Sequence, residues 1–465
     1  MEKCFNISRE DLKYLINETC RKLALLNETV KEGGLYGHME HPYDINEFTF
    51  GDLRQLVYDL FAGKIENISE KLDGMNIFAT VTPNGEVRFA RNSQQVSGDD
   101  AGMGIPEMEE RWGGEGNDPT ILQAYENAYY LFSDAVKKLP DPVGFFNGDG
   151  FKLYANCEVI DPNHPNIIHY GKTALSVHGL IGFTTEEKPH RFEVPENEEG
   201  WRMEQLRQVL PTVNSTHGLA QVTPFVAIQV REDGMETVKN LEAKLDHIEE
   251  VSNTGDENTI IDYKKAMIVS YLEYAGLGNI LNQPFSDLFI TRWAYIDKDK
   301  NSKPEDVQKM PNAVQIRKIV QTSGVENAKE IYAAAYEFEK TKLPEVFSDL
   351  MSPLENFVYE LGNAAIEACQ GLANAGYEDK TIASLAEQLE IAKETVANSN
   401  DLEVGETLAW CLKKLEYLGN KLNAAEGIVF NYKGHTLKLT GSFAALNRAI
   451  NTRITLQRKQ RKNQA

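Results

Sequence analysis

The chain has 465 residues, of which 42% are hydrophobic, and a formal net charge of -22 at pH 7. This length and composition are ordinary for a globular protein of two or three domains. The negative charge counts against broad, non-specific binding of nucleic acid, because an acidic surface repels phosphate backbones. No stretch approaches the roughly 18 to 20 consecutive apolar residues that a membrane helix needs, so no membrane partner is expected.

The cysteines and the N-terminus predict the compartment. The five cysteines are scattered and form no CxxC pair, so neither a disulfide framework nor a structural zinc site is expected. Residues 1–15, MEKCFNISREDLKYL, lack the basic end and apolar core of a secretory signal. We therefore expect a reducing compartment and a cytoplasmic location.

The first 65 residues predict helices. Leucines and isoleucine at helical spacing predict a helix over residues 8–30. A polar loop, HMEHPYDIN, follows at 38–46, and its histidines, His38 and His41, are candidate metal ligands or triphosphate contacts. Two histidines in an exposed loop are more often neither. The run FTFGDLRQLVYDLFAGK at 48–64 predicts a second helix that ends near Gly63.

Strand patterns begin at residue 67. Two β-rich runs flank Pro83-Asn84-Gly85, which predicts a hairpin. The glycine- and acid-rich stretch 94–118 has no periodicity and predicts a mobile loop, whereas 119–138 predicts a helix. Further strands are predicted in FKLYANCEVI, PNIIHYG, TALSVHGLIGF and VTPFVAIQVR, at 151–160, 165–171, 173–183 and 222–231. The pattern indicates a mixed α/β domain with antiparallel strands.

Residues 236–422 have an almost entirely helical pattern, and a strand pattern then returns in EGIVFNYKGHTLKLTGSF. Independent domains in series would leave these last strands without a sheet to join. We therefore predict an α+β domain with a large all-α insertion. The predicted parts are a helical segment (1–65), the first part of the α+β domain (66–235), the insertion (236–422), the last strands (423–447) and a basic tail (448–465).

Lys71 lies in the stretch ENISEKLDGMN. One interpretation is a strand end followed by a turn, where Asp and Gly are expected. The other is a nucleophile, which must lose its proton and so needs nearby cations or partial burial. Arg91, Glu158, Glu426 and Lys438 follow, each on or beside a strand-like run. Carboxylates within apolar strand runs are costly unless they have a partner or a metal, which favours the nucleophile interpretation.

This ordered set resembles the covalent nucleotidyltransferases, the family of the ATP-dependent DNA and RNA ligases and the mRNA capping enzymes. Residues 71–74, KLDG, match the first motif, whose lysine takes up the nucleotide as a phosphoramide. Met75-Asn76 extends it to KxDGxN, which is similar to the RNA ligase 2 type. The resemblance covers residues 67–235 and 424–445. It implies a nucleotidyltransferase domain with ATP-grasp-like antiparallel sheets.

The resemblance also implies the cofactors, ATP and Mg²⁺, and a role for each matching residue. Lys71 would carry AMP, Glu158 would hold the ribose, and Lys438 would contact the α-phosphate. Glu426 would help to place the metal, together with Asp73. The implied nucleotide site further includes Glu70, Asp73, Gly74, Asn76, Arg91 and Lys433.

Two positions depart from the family pattern. Thr440 stands where a second motif V lysine is usual, so that Lys433 would have to supply its charge from the preceding turn. Val177 and His178 stand where an adenine-stacking aromatic residue is common. The long helical segment is also larger than the family's usual connection. These departures weaken the prediction of the group that accepts AMP more than they weaken the prediction that Lys71 takes up AMP from ATP.

Three functions remain open at this stage. An ATP-dependent ligase would act on nucleic acid ends, and Asn76 favours RNA over DNA. An adenylyltransferase with a protein or small-molecule acceptor would suit the net charge. A non-catalytic nucleotide-binding relative would use the helical segment for a protein partner. Residues 447–465 contain six Arg and Lys residues and no acid, so they would touch a phosphate backbone or form a solvated tail.

Overall fold

The computed structural model describes residues 39–92, 95–96, 102–114, 118–185, 190–213, 215–229, 234–296, 303–372, 377–398, 402–419 and 422–464. The predicted helix at 8–30 and His38 lie outside these residues. The described chain is mixed α/β with antiparallel sheets and many helices, which confirms the predicted class at that level. None of the described helices is both long enough and apolar enough to cross a membrane.

Most of the strands belong to two sheets. In chain order they are β1 Ser69–Lys71, β2 Met75–Val81, β3 Val87–Ala90, β4 Asn147–Gly148, β5 Phe151–Ile160, β6 Ala174–Thr184, β7 Arg191–Glu193, β8 Leu219–Val222, β9 Ala227–Ile228, β10 Cys369–Gln370, β11 Gly427–Tyr432 and β12 His435–Leu439.

The α-helices dominate the second half of the chain. In order they are α1 Phe50–Phe61, α2 Ile105–Trp112, α3 Pro119–Val136, α4 Pro142–Phe146, α5 Glu196–Val209, α6 Gly234–Ser252, α7 Ile260–Tyr274, α8 Ser286–Ala294, α9 Glu305–Gln308, α10 Ala313–Thr322, α11 Ala328–Thr341, α12 Leu343–Ala368, α13 Glu378–Asn398, α14 Leu402–Tyr417 and α15 Phe443–Gln464. Short 3-10 turns lie at Pro42–Asp44 and Leu210–Thr212.

The chain divides into two compact units. Of the described residues, unit 1 comprises residue 39 and those within 72–224, and unit 2 comprises those within 40–71 and 225–464. The chain therefore passes from unit 2 into unit 1 between Lys71 and Leu72. The returning strands β11 and β12 do join a strand from the start of the chain, because β11 pairs with β1.

Unit 1 is built on a sheet of order β3-β2-β5-β6-β7, with β4 added to β5 and β8 added to β6. All of these pairs are antiparallel except the parallel pair of β6 and β8. Alternate residues of the sheet, such as Ile77 and Ala155, pack against helices α2 to α5 in one apolar cluster. The opposite face of the sheet carries polar residues at one end.

Unit 2 holds the sheet β1-β11-β12 and the remaining helices. One face of this sheet packs against α1, α6, α7 and α12 in a shared apolar core. A second cluster joins α7 and α8 to α10, α11 and the start of α12. A small third cluster joins α13, α14 and α15. The predicted basic tail is helical as far as Gln464.

Most strong sequence patterns are confirmed as elements. The run at 48–64 forms α1, which begins with a reciprocal cap between Thr49 and Asp52. The hairpin around Pro83-Asn84-Gly85 is β2–β3, and the runs at 151–160 and 173–183 form β5 and β6. Within the described part of the run at 222–231, only the end of β8 and the short β9 are strands.

Two predictions were wrong. The supposed loop at 94–118 contains helix α2, which starts after Gly104, where the Glu107 carboxylate accepts the backbone N–H at 2.9 Å. The run at 165–171 is not a strand. Its backbone N–H groups at Ile167 and Ile168 donate to the Asp73 carboxylate instead of to a neighbouring strand.

Candidate functional site

Strand β1 ends at Lys71, on the edge of the three-stranded sheet of unit 2. Lys71 pairs with Gly427 across β1 and β11, and Val429 pairs with both Ser69 and Lys438. Residues paired across neighbouring strands lie on the same face, and residues two apart on one strand share that face. Lys71 and Lys438 therefore lie on one face of the sheet.

The Lys71 side chain contacts a carboxylate of its own unit. Its Nζ lies against Oε1 of Glu426, the residue immediately before β11. The lysine side chain is 21% exposed, whereas the glutamate side chain is 8% exposed. The contact therefore fixes the position of the Lys71 side chain at the end of β1.

Gly427, the strand partner of Lys71, lies against the backbone of β12. An added Cβ at Gly427 would collide with the Leu439 carbonyl and would lie 2.9 Å from the Cα of Thr440. Strand β12 therefore passes close to β11 at this point, and only glycine fits between them. The position opposite Lys71 consequently carries no side chain that could cover the lysine.

Lys438 is positioned by backbone pairing on both sides of β12. Its strand neighbour is Val429, and its backbone N–H donates to the Glu40 carbonyl at 2.9 Å on the other edge. The residue is 8% exposed. The sheet thus brings together three of the predicted site residues, Lys71, Glu426 and Lys438.

Two predicted residues of unit 2 lie elsewhere. Glu70 alternates with Lys71, so it faces the apolar core and is 2% exposed. Burial, followed by the Glu70 carboxylate, raises the pKa of the Cys369 thiol to about 12. Lys433 lies in the tight turn between β11 and β12, at the end of the hairpin remote from Lys71, and its ammonium pairs with Asp52. The structure does not bring Glu70 or Lys433 to the Lys71 face.

Asp73 is the first predicted site residue of unit 1 in chain order. Its carboxylate accepts hydrogen bonds from Asn166 Nδ2 at 2.6 Å and from the backbone N–H groups of Ile167 and Ile168 at 2.7 and 2.6 Å. The Asp73 backbone N–H donates to the Tyr170 hydroxyl at 3.0 Å. Asp73 therefore fixes the loop at 166–170, and its oxygens are already engaged by donors rather than turned toward a metal.

Gly74, Asn76 and Glu158 meet at one end of the seven-stranded sheet. The Gly74 backbone N–H donates to Glu158 Oε1 at 3.0 Å. A Cβ on Gly74 would lie 2.5 Å from the Val159 carbonyl oxygen, so the turn needs glycine. Asn76 pairs in register with Glu158, and its amide donates to Asn156 Oδ1 at 2.8 Å.

Glu158 belongs to a row of polar side chains on the sheet face away from the helices. The row runs through paired positions on β2, β5, β6 and β8, namely Asn76, Glu158, Ser176 and Gln221. Gln221 Nε2 donates to Ser176 Oγ at 3.2 Å. Ser176 is buried in this row and Glu158 is 8% exposed, whereas Asn76 and Gln221 are half-buried. Carboxylate and amide groups of this kind can hydrogen-bond the hydroxyls of a sugar.

His178 adds a ring beside this row. It lies at a β-bulge, because Cys157 pairs with Val177 whereas Asn156 pairs with Gly179. A bulge redirects the extra side chain. His178 Nε2 lies 3.7 Å from Glu158 Oε2, and Nδ1 lies 2.9 Å from Thr223 Oγ1. Val177, the other residue considered for stacking, is buried in the core.

Arg91 lies over an aromatic pair rather than within the row. Its guanidinium carbon is 5.7 Å from the ring centroid of Tyr125, which stacks on Trp112 at 4.5 Å. Burial raises the pKa of the Tyr125 phenol, the Arg91 charge opposes that shift, and the Glu158 carboxylate adds to it. The phenol therefore lies within electrostatic reach of both predicted site residues.

The metal prediction is tested by the available oxygen donors. In the described ranges, no three or more His, Cys, Asp or Glu side chains are grouped to hold a metal ion. His41 is 6% exposed, with its ring 5.0 Å from that of Tyr43, so it is a buried residue rather than an exposed loop histidine. Mg²⁺ often takes one or two protein carboxylates and completes its shell with phosphates and water. Glu426 fits that arrangement, whereas Asp73 does not.

The comparisons with known proteins add no relative. No family model matches the chain, and no curated protein or solved structure matches it.

Several contacts of the site were missed in the sequence. Tyr170 stands in a run with strand composition, and Tyr125 stands on a helix face with the pattern of a core. Asn363 lies in α12, about sixty residues before Glu426, and its side-chain oxygen accepts the backbone N–H of Ser442, the residue that follows Gly441 after β12. This contact arises only from the tertiary fold. The orientation of the His178 ring was not predicted either, because the apolar pattern of strand β6 does not indicate where a bulge occurs.

Proposed function

We propose that this chain is an ATP-dependent nucleotidyltransferase that carries AMP on Lys71 and passes it to a 5′-phosphate end of RNA before strand joining. The observation that carries the proposal is the shared sheet face of Lys71 and Lys438, with Glu426 in contact with the lysine. A lysine nucleophile, a second cation and a carboxylate on rigid strands are the groups that phosphoryl transfer to an amine requires.

The first step forms a phosphorus–nitrogen bond and breaks a phosphorus–oxygen bond. Lys71 Nζ loses a proton through Glu426 Oε1 to solvent and attacks the α-phosphorus of ATP. Pyrophosphate leaves, and the nitrogen releases a second proton to solvent as the phosphoramide forms. Lys438 would stabilise the negative charge on the α-phosphate oxygens. Mg²⁺ held by Glu426 and the phosphates would neutralise charge on the triphosphate.

Glu158, Asn76 and His178 are the residues that we propose for recognition of the nucleoside. Glu158, held by the Gly74 backbone N–H, offers a carboxylate to the ribose hydroxyls. Asn76 pairs with Glu158 in register and presents its amide on the same face. His178, 26% exposed and adjacent to Glu158, is the ring available to the base in place of the family's usual aromatic residue.

The second and third steps concern the acceptor. A 5′-phosphate oxygen attacks the lysyl-AMP phosphorus and releases the amine of Lys71. A 3′-hydroxyl then attacks the activated 5′-phosphate, and AMP leaves. The assignment to RNA rests on Asn76 in the KxDGxN motif. The net charge of -22 favours the competing assignment, a protein or small-molecule acceptor.

A labelling experiment tests both the formation of the AMP adduct on the protein and the assignment of RNA as the acceptor. The protein is incubated with Mg²⁺ and ATP labelled at the α-phosphate, with α-labelled GTP as the comparison. The proposal predicts acid-labile, alkali-stable label on the protein from ATP. Labelled protein is then chased with 5′-phosphorylated RNA, nicked DNA or cell extract. Transfer to RNA supports the ligase assignment, and transfer only to a protein or small molecule contradicts it. Absence of label with either nucleotide contradicts the whole proposal.

A further inference from the structure

A cavity of about 510 Å³ lies among the helices of unit 2, and its described lining comes from helices and their connections rather than from strands. Its wall comes from α8, α9, the connection to α10 and the first turn of α10. Six of its lining residues are polar, namely Arg292, Lys303, Gln308, Lys309, Asn312 and Gln315. Of the described residues that line the cavity, three carry a positive charge and none carries a carboxylate. This is unusual in a chain with a net charge of -22.

The cap of α10 turns two amide groups into donors. Asn312 Oδ1 accepts the backbone N–H groups of Val314 and Gln315 at 3.1 and 3.0 Å. Gln315 Oε1 accepts the backbone N–H of Asn312 at 2.8 Å. Because both amide oxygens are used by the helix, the remaining polar atom of each side chain is an NH₂ group, which only donates.

Arg292 is held in a fixed orientation at the cavity wall. Its Nε and Nη2 atoms donate to the Glu339 carboxylate at 3.1 and 2.8 Å. This two-point contact sets the plane of the guanidinium and leaves the Nη1 edge outside the pair. Arg292 can therefore donate to a second anion without losing Glu339.

Lys309 can change its partner at little cost. Its ammonium contacts Glu305 one helical turn away, and the two side chains are 70% and 81% exposed. Ion pairs this exposed contribute about 0–1 kcal/mol. A phosphate group with more than one oxygen offers a stronger set of acceptors than a single solvated carboxylate.

We propose that this cavity binds phosphate groups, through Arg292, Lys303, Lys309 and the amide donors of Asn312 and Gln315. A cavity of about 510 Å³ with three cationic side chains and the amide donors of Asn312 and Gln315 fits a phosphate with its attached sugar. The assignment of that phosphate to a single-stranded RNA backbone rests on the proposed function. A free phosphate or polyphosphate presents the same chemistry, and the experiment separates the two sources.

The test uses the full chain and the double variant Lys303→Gln/Lys309→Gln. Its control is Lys137→Gln/Lys393→Gln, which removes two exposed lysines, each paired with a carboxylate three residues away. These pairs resemble that of Lys309 with Glu305, four residues away. Binding of fluorescently labelled single-stranded RNA is measured by anisotropy at several salt concentrations. Binding of inorganic pyrophosphate is measured by titration calorimetry. Label on Lys71 from ATP is followed on the same samples.

The proposal predicts weaker RNA binding for the cavity variant, on the order of tenfold, and a shallower salt dependence. Each phosphate contact on a single strand contributes about 0.7 to the slope of log K against log salt, so two lysines should remove about 1.4. The control should match the wild type. Loss of pyrophosphate binding with unchanged RNA binding would support the cavity as a phosphate site but overturn the RNA assignment.

Equal binding of both ligands by the cavity variant and the wild type overturns the site. The proposed function is judged separately by the label on Lys71. If RNA binding changes while no label forms, the cavity assignment stands and the nucleotidyltransferase proposal fails. If label forms normally and the cavity variant binds RNA and pyrophosphate as the wild type does, the nucleotidyltransferase proposal stands and the cavity assignment fails.

Discussion

The side-chain oxygen of Asn363 accepts a hydrogen bond from the backbone N–H of Ser442 at 2.8 Å, which ties helix α12 to the turn after β12. The same oxygen accepts the Ser442 hydroxyl at 3.2 Å and the Asn423 amide at 2.8 Å. Asn423 precedes Glu426, and Ser442 follows Lys438. One buried oxygen in the helical segment therefore positions the chain on both sides of the proposed catalytic strands.

We predict that Asn363→Leu slows formation of the Lys71 adduct at least tenfold, whereas Asn363→Asp keeps most of the rate. Leucine leaves the buried N–H of Ser442 without an acceptor, which costs about 1–3 kcal/mol in the free energy of unfolding. Aspartate keeps the acceptor. Rapid-quench labelling gives the rates, and denaturant unfolding gives the stabilities. Equal rates for wild type and the leucine variant would show that α12 does not position these strands.

Gly427→Ala should damage the sheet and the labelling reaction together. The added methyl group would collide with the backbone of β12 at Leu439, which cannot move without breaking strand pairing. Gly200→Ala is the matched control, because its Cβ would meet no atom within 4 Å. Gly200 lies inside helix α5, so alanine there should stabilise the fold by roughly 0.5–1 kcal/mol. Thermal unfolding distinguishes the two, and a stable, active Gly427→Ala would contradict the described packing.

The two lysines of the β11–β12 hairpin should behave differently. Lys438→Ala should reduce the rate of Lys71 labelling by about two orders of magnitude or more, as removal of a transition-state charge contact does. Lys433→Ala should leave that rate within about twofold, because Lys433 lies in the distant turn beside Asp52. Single-turnover labelling at saturating ATP makes the comparison. A large loss for Lys433→Ala would restore it to the nucleotide site and count against the described hairpin.

Glu339 should make stability depend on pH in the acid range. Burial alone would raise the pKa of its carboxyl, but hydrogen bonds and charge from Arg292, together with the Trp293 indole, lower that pKa below its ordinary value. A carboxyl with a lowered pKa in the folded state contributes stability above its unfolded pKa. That contribution is lost as pH falls through the lowered value. Glu339→Gln should therefore unfold more easily than wild type at pH 7, and the difference should shrink below about pH 4. A pH-independent difference would contradict the assignment.

The sequence predicted the elements whose apolar pattern matches one period over many residues. Helix α1 and strands β5 and β6 are examples, since each buries alternating or helically spaced side chains. Prediction from the sequence was wrong where backbone N–H groups hydrogen-bond to a side chain instead of to a neighbouring strand. The run at 165–171 has strand composition, yet its N–H groups serve the Asp73 carboxylate. No local pattern indicates such a contact between residues so far apart in the chain.

The candidate site was predictable only in part for the same reason. Strand alternation places Lys71 and Glu70 on opposite faces, but the face that meets the core depends on the pairing of β1 with β11. That pairing joins the beginning of the described chain to its last strands. The position of Lys433 in the turn likewise determines its distance from Lys71. Nothing in the sequence around Asn363 indicates its hydrogen bond with Ser442.

The position of the AMP on the protein decides whether Lys71 is the nucleophile. Wild-type protein is incubated with ATP and Mg²⁺, digested, and analysed by tandem mass spectrometry under conditions that preserve phosphoramides. Lys71→Ala is the test variant. Lys433→Ala is the control, because it removes another lysine from the same three-stranded sheet region, in the turn between β11 and β12. If Lys71 is the nucleophile, AMP will be found on Lys71 in wild type and in the control, and on no residue of Lys71→Ala. An adduct on another residue, or an adduct that persists in Lys71→Ala, would contradict the assignment of Lys71.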